Sequence, residues 1–247
     1  MFTLNHFIWL VIATIIIIIM LLINKYKKLS FNFVLTLMFV VCVISESLKI
    51  LSNMIDAYGG GKILDPGDLP FHLCSIQIFF IYFLKFVIKN EQTKEKLLNF
   101  MAPVMLVGGL VALMVPTVGV KFNKAQVYEF FIYHAMIMFF ALYILINKIT
   151  TYSWKTFFRN LGFLGILAVC SLWINSILSG SNEKVNFMYL SRPPMENLPL
   201  LNLNNGWYVY VTTLASFAIG FMLIFHIIMI LIQRKYNKKM QLSMKEE

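Results

Sequence analysis

Seven apolar stretches dominate this 247-residue sequence, at about 7–24, 31–53, 71–89, 97–116, 126–146, 157–179 and 206–233. Several reach roughly 18 residues, the length at which an α-helix crosses the hydrocarbon of a bilayer. Hydrophobic residues make up 60% of the chain and charged residues 13%, about half the charged share of a soluble domain. The runs are uniformly apolar and lack the period-2 alternation of a membrane β-barrel strand. Backbone polar groups in lipid must be satisfied within the segment, so helices are expected. The fold class read from this pattern is all-α: a polytopic membrane bundle of about seven transmembrane helices. It forms a single transmembrane domain over residues 1–233, followed by a basic cytoplasmic tail at 234–247.

The basic residues set the expected orientation. Lys25, Lys27, Lys28, Lys89, Lys94, Lys96, Lys148, Lys155, Arg159 and the tail's Arg234, Lys235, Lys238, Lys239 and Lys245 would share one side. Lys62, Lys121, Lys124, Lys184 and Arg192 would share the other. That 14-to-5 bias places the N-terminus outside and the C-terminus in the cytoplasm. The first run follows no basic residue and has no small-residue cleavage site, so it reads as a retained helix. Topology and anionic headgroups on the cytoplasmic face account for most of the net charge of +10, and no nucleic-acid partner is expected. The expected location is the cell membrane, as a multi-pass protein.

Polar residues inside a bilayer are costly, so their depth carries information. With helices running alternately outward and inward, Glu46, Lys49, His72, Cys74, His134, Asn175, Tyr208 and Thr212 all fall in the outer third. Cys42, Ser45, Glu46, Lys49 and Asn53 recur at helical spacing on the second helix. Ser171, Asn175 and Ser179 do so on the sixth, and Tyr208, Thr212, Ser216 and Gly220 on the seventh. Such stripes are expected to face the bundle. The plainer reading of the serines and threonines is hydrogen-bonded glue between helices.

Within "DLPFHLCSIQIFF", Pro70 suits a first helical position, which would put Cys74 within a turn of a helix N-terminus, where thiolates are favoured. Ser75 and Gln77 add polar surface. On a regular helix His72 and Cys74 are about 200° apart, so His72 is a poor base for Cys74. His134 is the other histidine at compatible depth; His6 is terminal and His226 too deep. No metal-ligand spacing stands out, and neither a metal nor a cofactor is expected. Taken alone, Cys74 reads as a small apolar helix residue and His134 as a hydrogen-bonded core histidine. Their shared depth makes a nucleophile and base the sharper reading.

Three motifs, "LPFHLCSI" (69–76), "YHAMIM" (133–138) and "NFMYLSRPP" (186–194), occur in an order that resembles the YwaF-type bacterial integral membrane family. That family is related to the eukaryotic transmembrane protein 164 ether-lipid acyltransferase and, more distantly, to androgen-regulated hydrolases of fatty-acid esters of hydroxy fatty acids. The resemblance spans roughly 30–235, with Phe187 standing where tyrosine is common. It implies an intramembrane acyl-transfer site with Cys74 as nucleophile and His134 as base. It also implies an outer loop bearing Asn186, Tyr189 and Arg192 folded over that site. The resulting expectation is a phospholipid acyltransferase or lipid-ester hydrolase acting on membrane phospholipid or lysophospholipid. His72, Glu46, Lys49, Gln77, Asn175 and Tyr208 would support or bind substrate. The alternatives are a small-molecule or ion transporter or channel with a path lined by Glu46 and Lys49, and a non-enzymatic membrane binding protein.

Overall fold

A computed structural model describes residues 3–56, 66–180, 185–195, 198 and 200–246. The glycines at 59–61, together with Lys62 and Lys184 of the expected outer connections, lie outside the described residues. The described chain is helical, with α1 Leu4–Lys27, α2 Phe31–Asp56, α3 Gln77–Tyr82, α4 Glu91–Met114, α5 Ala125–Ile146, α6 Trp154–Ser179 and α7 Trp207–Glu246. Six of these helices are long and apolar enough to cross a membrane. The protein is therefore a multi-pass membrane protein.

The third element departs from expectation. An apolar helix over 71–89 is replaced by a bend and turn at 71–76, then α3, then a π-helical turn Phe83–Val87. Side chains take over the carbonyls that a helix would have used. Gln77 Nε2 donates to Leu73 O at 2.9 Å, and Tyr133 Oη donates to Cys74 O at 2.7 Å. Gln77 N turns instead to Cys74 O, three residues back, at 3.3 Å. The element still crosses most of the bundle. Ser75 meets Lys49 near the end of α2, while Lys85 meets Asn32 and Thr36 near its start. Those contacts are separated by about 22 Å of α2.

The core is built around α4 and α5, which bury the largest shares of their apolar windows, 56% and 67%. Apolar side chains of α2, α3, α4 and α5 form one cluster around Met38, Ile81, Met101 and Phe140. Trp9 of α1 stacks on Phe131 of α5 in a second cluster. α4 and α5 approach closely at Gly109, where a Cβ would lie 2.5 Å from Met138 Cγ and 3.3 Å from His134 O. Gly109→Ala is accordingly expected to cost about 1–3 kcal/mol and to lower the thermal midpoint of purified protein.

Pro103 lies inside α4 and has no N–H to donate to Asn99 O, four residues back. Asn160 Nδ2 of α6 makes that bond instead, at 2.9 Å. His226 of α7 completes the clamp: its Nδ1 donates to Met222 O, leaving Nε2 to accept from Asn160 at 3.4 Å. The deep histidine thus helps to tie α4, α6 and α7 together. Asn160→Leu should strand a buried carbonyl and cost about 1–3 kcal/mol, read as a fall in thermal midpoint.

Candidate functional site

The end of the bundle that the charge bias assigns to the outside gathers most of the polar residues singled out above. The α2 stripe faces inward: Cys42, Ser45 and Glu46 are buried, and Lys49 and Asn53 are half-buried. It meets a matching stripe on the antiparallel α5. Gln126 donates to Asn53 Oδ1 at 3.3 Å, Ser45 donates to Glu129, and Cys42 and Tyr133 belong to one buried cluster. Glu46 and Lys49 pair at 2.5 Å, one turn apart. Asn53 also donates to Asp68 Oδ1 at 2.5 Å, which fixes the 3₁₀ turn Pro66–Asp68 to α2.

Cys74 sits in the turn ahead of α3, not in a helical first turn. The first N–H groups of α3 are already taken, Gln77 N by Cys74 O and Ile78 N by Ser75 O. The expected support of a thiolate by free N–H groups of a helix N-terminus is therefore corrected. What the turn provides is different: the backbone N–H groups of His72, Leu73, Cys74 and Ser75 donate to no protein acceptor. Irregular backbone of this kind is tolerated at membrane depth where it lines a protein cavity. The argument that helical spacing turns His72 and Cys74 apart also loses its basis, because the segment is not helical.

Cys74 Sγ lies against Gly108 of α4, 3.6 Å from where a Cβ would stand. The next residue, Gly109, faces the His134 backbone, so one short stretch of α4 borders both residues. His134 Nδ1 lies 2.7 Å from Phe130 O. A carbonyl only accepts, so Nδ1 carries the proton and Nε2 keeps its lone pair. Nε2 has no protein partner and is not sealed from the surrounding space. No hydrogen bond joins Cys74 to His134.

The loop at 185–195 lies over this region. Asn175 of α6, 2% exposed, holds Phe187 with two bonds, accepting from its N–H at 2.8 Å and donating to its carbonyl at 3.1 Å. Asn186 does the same work further along, donating to Arg192 O at 2.8 Å and accepting from the N–H groups of Ser191 and Arg192. Trp207 Nε1 donates to Leu190 O at 2.9 Å, and Tyr210 Oη donates to Tyr189 O. These anchors hold Met188 and Tyr189 at φ 55° each, a left-handed conformation that disfavours such residues by about 1–2 kcal/mol apiece.

Tyr208, expected on a bundle-facing stripe, is 79% exposed. Thr212 and Ser216 on the same face return their hydroxyls to α7's own carbonyls. That stripe points away from the bundle, and on α7 it is Trp207 and Tyr210 that reach the 185–195 loop. Ser179 is likewise exposed and bonds Ser176 O within α6.

His72, Thr117, Asn186, Tyr189, Arg192, Pro193 and Pro194 line a cavity of about 200 Å³. The His72 ring packs on Phe187 and Tyr189, with centroids 5.4 and 5.1 Å away. Burial, and secondarily the charge of Lys49, pulls the His72 imidazole down to about 4. Burial raises the Tyr189 phenol; its bond with Thr117 opposes this, and nearby Cys74 adds to the rise. His72 in that lining and Cys74 stand two residues apart in the same turn, which puts the cavity beside that turn. An unfolded His72 titrates near its ordinary 6.5, so the unfolded chain binds more protons between pH 6.5 and 4. Stability contributed by neutral His72 is present above 6.5 and lost as the pH falls toward 4. A fall in thermal midpoint over that window, flattened in His72→Gln, is expected.

Glu129, Tyr133, Thr117, Trp207 and Tyr210 were not among the residues selected from sequence. Glu129 was detectable as an acid within an apolar span, by the rule that selected Glu46. The others depend on which side of a helix meets the loop. No curated protein and no solved structure matches the chain. The sequence matches the TMEM164 family over residues 1–232, nearly its whole length. Taken with the all-helical bundle, this match shows that the chain belongs to the TMEM164 family.

Proposed function

We propose that the protein moves acyl chains on membrane lipids at the cell surface, with Cys74 as nucleophile and His134 as base. The observation that carries this reading is the outer turn at 72–75. It presents a thiol beside unpartnered backbone N–H groups, with the available Nε2 of His134 across the same stretch of α4. Family membership and the lipid-facing helices support it.

In this reading the Cys74 thiol gives its proton to His134 Nε2 as Sγ attacks an ester carbonyl. The Cys74 and Ser75 N–H groups stabilise the oxyanion. On collapse the carbon–oxygen bond breaks, and His134 returns the proton to the departing alkoxide, leaving an acyl thioester and a lysolipid. A lipid hydroxyl or water then loses a proton to His134 and attacks the thioester. The carbon–sulfur bond breaks and the thiol is restored. Catalytic hydrogen bonds are often unformed without substrate, so the missing Cys74–His134 bond is expected to form when an ester enters. The cavity beneath Arg192 would take the lipid phosphate.

The test incubates purified protein with phospholipid labelled in its acyl chain. A hydroxylamine-labile acyl adduct is expected, with transfer lowered about 10²–10⁴-fold in His134→Ala. Absence of both adduct and acyl movement in the wild type would sink the reading.

A further inference from the structure

The carbonyl ends of the Cys74 turn are held by definite partners. His72 O accepts from Ile76 N at 2.9 Å, a backbone bond of helical span. The next two carbonyls engage side chains. Leu73 O accepts from Gln77 Nε2 at 2.9 Å, and Cys74 O accepts from Tyr133 Oη at 2.7 Å as well as from Gln77 N at 3.3 Å. Resting on the acyl-transfer reading, we infer that Tyr133 is a positioning residue for the oxyanion. Its hydroxyl orients and polarises the peptide that carries the Ser75 N–H, and the Gln77 amide does the same for the peptide that carries the Cys74 N–H.

The inference follows from peptide geometry. The Cys74 carbonyl and the Ser75 N–H belong to one peptide unit. Such a unit is planar, and in the trans form its N–H points opposite its C=O. Fixing the carbonyl on Tyr133 therefore fixes the line along which the Ser75 N–H points. A bond accepted at the oxygen also draws charge through the amide and strengthens the donor at the nitrogen, by about 10–30%. The Leu73 carbonyl and the Cys74 N–H are related in the same way, with Gln77 at the oxygen. Both N–H groups end on no protein acceptor, so both remain open to a ligand oxygen.

The anchors themselves are firmly held. Tyr133 is 4% exposed and Gln77 0%. Tyr133 stands on α5, which has the largest buried share of the six spanning helices. It directly precedes His134, whose ring packs edge-on against it with centroids 5.4 Å apart. α5 thus fixes an oxyanion donor with one residue and supplies the base with the next. Donors set in place before charge develops are what make an oxyanion site effective.

The test separates a reaction that builds an oxyanion from one that does not. Purified protein in mixed micelles is given phospholipid labelled in its acyl chain. In a second arm it is given iodoacetamide, which alkylates the thiol by displacing iodide and forms no oxyanion. Alkylation is read by mass spectrometry at the Cys74 peptide, apart from Cys42 and Cys170. Tyr133→Phe keeps the ring, and the Cys74 carbonyl keeps its bond from Gln77 N, so the fold should persist. In this variant kcat for acyl transfer is expected to fall about 10–100-fold, less than the roughly 10²–10³-fold of deleting an oxyanion donor outright. KM should stay within about twofold, as for an interaction made only in the transition state. The alkylation rate and its pH profile should match wild type. Gln77→Met removes the side-chain bond to Leu73 O; it should show the same pattern, and it carries the test if Tyr133→Phe does not accumulate. Transfer within about threefold of wild type, alkylation slowed as much as transfer, or a shifted alkylation profile would each overturn the inference. The last two would make Tyr133 a structural prop or a modulator of the thiol and its base. A wild-type protein that forms no acyl adduct would reject the acyl-transfer reading and this inference with it. An adduct formed equally fast by wild type and Tyr133→Phe would reject this inference alone.

Discussion

Cys74→Ala should abolish formation of the acyl adduct and lower acyl transfer by about 10³-fold or more, while leaving the thermal midpoint nearly unchanged. The size follows from losing the atom that forms the covalent intermediate, an effect on that scale or larger in well-studied nucleophile deletions. The small effect on stability follows from packing. The Cys74 side chain makes no hydrogen bond of its own; the backbone carbonyl is what Tyr133 holds, and alanine keeps that carbonyl. Sγ meets Gly108 at ordinary contact distance, so removing it leaves a small gap. Cys74→Ser separates chemistry from shape. It retains size and polarity but replaces the thiol with a weaker nucleophile, so activity should stay far below wild type and any adduct should resist hydroxylamine as an oxygen ester. Acyl transfer persisting in Cys74→Ala at more than about a tenth of the wild-type rate would remove Cys74 from the chemistry.

Asn175→Leu should have the largest effect on stability. The Asn175 amide faces the Phe187 peptide through both of that residue's backbone polar groups, in a buried setting. Leucine is close in size but can neither donate nor accept. The Phe187 N–H and carbonyl would be left unpaired, at about 1–3 kcal/mol each. The next two residues are held in the left-handed region, so loss of the anchor also releases strain toward other loop conformations. A clear drop in thermal midpoint and faster proteolytic cleavage within 185–195 are expected. Acyl transfer should fall too, because Tyr189 and Arg192 ride on that loop. Asn175→Asp can still accept from Phe187 N–H but cannot donate to the carbonyl, so it should fall between wild type and leucine. An unchanged midpoint and unchanged cleavage in Asn175→Leu would mean that the anchor carries little of the loop's order.

The length and uniform apolarity of the runs determined the helical membrane bundle, because lipid leaves the backbone no other way to satisfy itself. Helical spacing on α2 correctly assigned Cys42, Ser45, Glu46 and Lys49 to one inward face. The same spacing misassigned Tyr208, Thr212 and Ser216 on α7. Hydroxyls that return to their own helix's carbonyls can face lipid at little cost, and sequence does not distinguish that state from an inward stripe. Composition also could not reveal that residues 71–76 would not be helical. In that segment Tyr133, about sixty residues away in sequence, bonds the Cys74 carbonyl and the Gln77 side chain bonds the Leu73 carbonyl. The bond from Tyr133 to the Cys74 carbonyl is a tertiary effect. So are the partnership of Glu129 with Ser45 and the fastening of the 185–195 loop by Asn175, Trp207 and Tyr210. The sequence by itself set which segments enter the membrane and which polar residues they carry. Tertiary contacts decided which partners the Cys74 carbonyl and the 185–195 loop take, because a hydrogen bond is allotted by whichever partner reaches it in space.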